Sequence, residues 1–157
     1  MDKEKTLKEL KEKFKELKKE VGFKAGLEEL DSAFHIQDAV LAEGFVYEDF
    51  SRQICLKIIE RFMDWHNYLN SLILPNPSFL ANQTEAKLFS SSEDKKLIWK
   101  LMTGSMKFSS MALLDSIKEQ KSLTKELVDG SLDYWKKEFQ PNLEKIMKKI
   151  HEAWKKE

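Results

Sequence analysis

Residues 128–154 read VDGSLDYWKKEFQPNLEKIMKKIHEAW. In this stretch Val128, Leu132, Trp135, Phe139, Leu143, Ile146, Ile150 and Trp154 follow one another at steps of three or four residues. That spacing stacks side chains on one face of an α-helix and leaves the lysines and glutamates between them for solvent. Pro141 lies inside the pattern, where it removes a backbone hydrogen bond and bends the rod. The apolar stripe keeps its phase through the proline, so one kinked helix from about Leu123 to Lys155 is predicted, with two helices meeting at Gln140 as the alternative.

Working outward, the same periodicity recurs. Ser90, three residues before Glu93, has capping-box spacing and starts a helix that runs to about Gln120, with Ser122 capping the helix after it. The first of these two reads as the most enclosed element. Its lysines 96, 100, 107 and 118 share one narrow strip, and Ser105, Ser109, Ala112 and Ser116 form a second strip that a neighbouring helix can approach closely. Upstream, a helix spans about Tyr47 to Leu74 until Pro75 and Pro77 end it, and another covers about Leu27 to Glu43 before Gly44. The first helix, about Lys3 to Val21, carries Leu7, Leu10, Phe14, Leu17 and Val21 as a heptad seam in an otherwise lysine/glutamate sequence. Residues 75–91 form the one long connection, with room for a short helix near Phe79 to Leu88. The expectation is an all-α, largely antiparallel bundle of about five helices in a single domain, residues 1–157.

At 157 residues the chain can bury a sizeable core without staples. Cys55 is the single cysteine, which excludes an intramolecular disulfide and suits a reducing, cytoplasmic setting. No apolar run approaches membrane-spanning length and the N-terminus lacks a signal-peptide core, so no membrane association is expected. Net charge is zero from 27 basic and 27 acidic residues, without the positive field of most nucleic-acid binders. Charge is unevenly spread. Residues 22–51 hold only Lys24 against Glu28, Glu29, Asp31, Asp38, Glu43, Glu48 and Asp49.

Three constellations bear on chemistry. Glu28, Asp31, His35 and Asp38 are separated by three, four and three residues, which lines them along one face of a continuous helix as metal ligands are presented in bundles. A ferritin-like centre needs matching ligands on a second helix; Glu60 and Asp64 are i, i+4, but the chain holds no Glu-x-x-His pair. Glu9-x-x-Glu12 followed by Glu28-x-x-Asp31 resembles the paired acidic motifs of the MazG-type helical nucleotide pyrophosphatases, a resemblance that covers the first two helices and implies magnesium-dependent hydrolysis. Arg61 and His66, with Asn67 after them, resemble the arginine/histidine signature of HEPN-type all-helical domains, some of which are metal-independent ribonucleases acting as dimers. In that resemblance the arginine holds the scissile phosphate and the histidine moves a proton at the ribose 2′-hydroxyl.

The tryptophans read mainly as core. Trp99 sits off its helix's main stripe, near Met63, Met102, Met106 and Met111. No glycine-rich phosphate loop, nucleophile elbow or zinc-spaced Cys/His set is present. The leading expectation is therefore a non-catalytic interaction or scaffold protein without a cofactor. It would engage a protein partner, or a second copy, through Leu7, Leu10, Phe14 and Leu17 on helix 1; a HEPN-like ribonuclease and a metal-binding hydrolase stand as alternatives, and RNA enters only through the first of these.

Overall fold

A computed structural model describes residues 2–118 and 120–156. Its helices are α1 (Lys3–Val21), α2 (Leu27–Phe34), α3 (Ile36–Glu43), α4 (Phe50–Ile73), α5 (Leu80–Lys87), α6 (Ser92–Lys118), α7 (Lys121–Tyr134) and α8 (Gln140–Trp154), with a π turn at Trp135–Phe139. Because α7, the π turn and α8 form one continuous rod, the described residues form seven helices packed into a bundle and contain no strand. None of the helices is long and apolar enough to cross a membrane among those residues.

The two helices beyond the expected five have separate origins. The short α5 fills the long connection, as its position there anticipated. The other comes from a break at His35, which adopts a left-handed φ of 53° and ends α2 with its N–H on the Asp31 carbonyl at 2.8 Å. The Asp31 carboxylate then accepts from the Gln37 N–H at 2.7 Å and caps the start of α3. In an unbroken helix Phe34 and Ile36 would project about 200° apart. Breaking the helix lets both be fully buried.

At the other end of the chain the π turn supplies what Pro141 requires. The Gln140 N–H reaches back five residues to the Trp135 carbonyl, which widens the backbone ahead of the proline ring. Asn142 donates from its side-chain amide to the Glu138 carbonyl at 2.7 Å. Trp135 and Phe139 consequently both face inward, their rings stacked at 5.2 Å.

The centre of the core is aromatic. Phe62 is fully buried and packs against Phe34, Phe108, Tyr134, Trp135 and Phe139 at ring separations of 5.3 to 6.1 Å. α4 and α6 lie side by side through the small-residue strip, where Ser105, Ser109 and Ala112 are buried. α1 packs on α3, α4 and α7. The loop after α1 turns at Gly22, φ 83°, and is held to α7 by the Asp129 carboxylate, which accepts from the Lys24 and Ala25 N–H groups at 2.9 to 3.0 Å.

Two of the anticipated caps lie elsewhere. α6 is capped by Ser91, not Ser90, through its hydroxyl and the Asp94 N–H at 3.1 Å. At the start of α7 the tie is Asp115 rather than Ser122: its carboxylate accepts from the Gln120 N–H at 3.0 Å and the Thr124 hydroxyl at 2.6 Å.

Candidate interaction face and cavity

α6 is not the most enclosed helix. One side of it is buried, but along the other run Trp99, Met106, Leu113 and Ile117, exposed by 61, 44, 63 and 79%. With Thr103 and Ser110 between them these residues follow steps of four, three, four, three and four, a coiled-coil seam about 27 Å long at 1.5 Å per residue. Leu114, also exposed, widens it. Scattered exposed apolar residues are ordinary on a monomer, whereas these are contiguous along one helix.

One edge of the seam carries a row of lysines, interrupted by Met111 and Leu114. Lys96, Lys100, Lys107 and Lys118 project along it, and of the four only Lys100 is ion-paired among the described residues, to Glu138 at 3.3 Å with both groups exposed. Near the helix's C-terminal end the other edge borders a cavity of about 600 Å³ between α1, α4, α6 and α7. Its floor is apolar, from Leu17, Phe50, Leu56, Ile59 and Ala112, with Leu113 of the seam in its wall. Glu16, Glu20, Glu48 and Asp49 stand around it together with Lys13, Arg52 and Lys121, and the Lys121–Glu20 pair at 3.0 Å ties α7 to α1 there.

The chemistry available in this cavity is limited. Burial in apolar surroundings, with Asp115 and Asp49 nearby, pushes the Cys55 thiol up to about 12, so it is not a nucleophile at neutral pH. Asp115 has both carboxylate oxygens engaged in the α6–α7 turn. No group of three or more His, Cys, Asp or Glu is arranged to hold a metal ion among the described residues.

The residues singled out from the sequence are distributed differently from the expectations. Leu10, Phe14 and Leu17 are core residues and Leu7 is packed against them, so the helix 1 seam already faces its own bundle. A narrow stripe on a charged helix reads the same whether it covers a core or waits for a partner. Glu28, Asp31, His35 and Asp38 do not share a helical face, because the break at His35 divides them between α2 and α3 and Asp31 is used as a cap. Glu9 and Glu12 are exposed on α1 and belong to no metal-holding group among the described residues.

Arg61 and His66 leave α4 by opposite edges. The Arg61 guanidinium lies between the rings of Trp65 and Trp135, its carbon 5.6 Å from each centroid. Its Nε and the Trp65 Nε1 are buried without a hydrogen-bond partner. His66 instead faces α6, with Nδ1 3.2 Å from the Ser105 hydroxyl, which itself donates to the Met102 carbonyl at 2.8 Å. The two side chains thus have separate neighbours.

The signal for the α6 seam is present in the sequence. Trp99, Met106 and Leu113 recur at sevens beside the lysine strip, but α6 also carries a second apolar face, and apolar residues on both sides read as enclosure. Comparison with protein-family models, with curated proteins and with solved structures gives no match for this chain.

Proposed function

We propose that this protein is a non-catalytic helical interaction module and that it engages a partner through the outward seam of α6. The observation that carries the reading is the contrast between two seams of the same spacing: that of α1 is consumed by the core, and that of α6 faces solvent. Burying four large apolar side chains stabilises a complex by roughly 1.5–3 kcal/mol each before the costs of association, enough to support binding when combined with specific edge contacts. An enzyme would require convergent polar groups, and the cavity beside the seam offers an apolar floor with an un-ionised thiol.

Site-directed photo-crosslinking in the native cell tests this. A crosslinking side chain at Ser110, between Met106 and Leu113, should form a discrete covalent adduct that disappears when Leu113→Asp is added. The same group at Glu12 on the outside of α1 should form none. Equal adducts at both positions, or an adduct at Ser110 indifferent to Leu113→Asp, would remove the reading.

A further inference from the structure

We infer that the occupant of the α6 seam is an amphipathic helix of another protein, one that carries acidic residues along one edge of its apolar stripe. This rests on the seam being a docking face and adds the chemistry of what docks.

The seam itself specifies a helix. Large residues at 99, 106 and 113 alternate with the smaller Thr103 and Ser110, so each large side chain of α6 is a knob and each small one a gap that receives a knob from a facing helix. The cavity wall at Leu113 continues this pattern by offering an apolar recess for one bulky anchor at that end. A lipid surface reads no such alternation. Anionic headgroups would also meet Glu16, Glu20, Glu48 and Asp49 around the cavity.

The edge specifies the charge. Lys96, Lys107 and Lys118 have no ion-pair partner among the described residues, and Lys100 has only the exposed Glu138. A partner helix lying along the seam places its own edge residues beside this row, where glutamates or aspartates are favoured and lysines are repelled. A second copy of the chain docked antiparallel fits less well. Two α6 helices crossing antiparallel about a two-fold axis set each edge against its own image, so lysine would meet lysine along the length of the contact.

The test uses the full chain and two synthetic helical peptides with the same leucine heptad seam, one with glutamates and one with lysines at the edge positions. Calorimetric titration should give saturable binding of the glutamate peptide, at least about tenfold weaker binding of the lysine peptide, and weakening with added salt. Lys96→Glu together with Lys107→Glu, both exposed, should invert the preference between the peptides while leaving the melting temperature of the free chain high enough for the titration. Leu113→Asp should abolish binding of either.

Equal affinity for the two peptides, still abolished by Leu113→Asp, overturns the acidic partner while the docking face stands. Binding that survives Leu113→Asp removes both. Failure of both peptides to bind also overturns the inference, as does sedimentation showing a dimer that Leu113→Asp dissolves. Co-sedimentation with phosphatidylserine vesicles in place of peptide binding would assign the face to a membrane surface instead.

Discussion

Gly104 is where a single atom has the clearest consequence. A methyl group there would lie 2.1 Å from the Tyr134 hydroxyl oxygen, and Tyr134 cannot swing aside freely because its ring packs against Phe62, Phe108 and Phe139. Helix propensity alone would favour alanine by about 1 kcal/mol. Overpacking typically costs about 1–3 kcal/mol, so Gly104→Ala is expected to lower stability by up to about 2 kcal/mol in urea denaturation. Glu43 adds a pH dependence. Its burial raises the carboxyl, but hydrogen bonds from Lys57 and Gln53 and the charge of Lys57 outweigh that and hold it below the ordinary value of 4.5. A group lowered on folding contributes stability that is complete above its unfolded pKa and lost as pH falls through the folded one. The stability difference between the wild type and Glu43→Gln should therefore be constant near neutrality and shrink below about pH 4.5. A difference that stays flat to pH 3 would show that the Lys57–Glu43 tie has no influence on folding. Nothing in the sequence pointed to these residues, since a close approach between Gly104 and Tyr134, 30 positions apart, leaves no local pattern.

At the level of elements, what was legible depended on whether neighbours in sequence set the outcome. The stripe from Val128 to Ile150 is buried as its spacing required, with Trp154 at the end exposed instead. The π turn sits where two successive steps of four, 135 to 139 to 143, depart from the alternation of three and four, but the same departure recurs at 146 to 150 to 154 in regular helix, so the spacing alone does not mark the turn. The break at His35 was hidden because neither glycine nor proline marks it. It is made by an aspartate cap and by the demand of Phe34 and Ile36 for the same core. Two opposite effects are expected there in thermal denaturation. His35→Gly relieves a left-handed residue and should stabilise by about 0.5–1 kcal/mol, whereas Asp31→Ala removes the cap of α3 and should destabilise by about 1 kcal/mol.

For the whole molecule, an all-helical bundle followed from periodicity, but the sharing of faces between core and solvent did not. Burial is a property of the assembled set of helices, and α1 and α6 carry seams that only packing can tell apart. Leu10, buried on α1, should lose 2–5 kcal/mol on truncation to alanine, and Ile117, largely exposed on α6, should lose less than about 0.5 kcal/mol. Comparable losses at the two positions in chemical denaturation would contradict the assignment of inside and outside. The π turn has one more consequence, for chain length. A turn closed by five-residue rather than four-residue bonds holds one residue more than the helix on either side of it needs. The rod from α7 to α8 thus contains a surplus unit. Deleting the exposed Lys136, together with Pro141→Ala so that a regular helix can close, should shorten the chain by one residue yet leave Leu143, Ile146 and Ile150 facing the core. Deleting Lys107 from the middle of α6 should instead turn everything after it by about 100° and unfold the domain, so the melting temperatures of the two shortened chains would show whether helix register has slack at only one of these places.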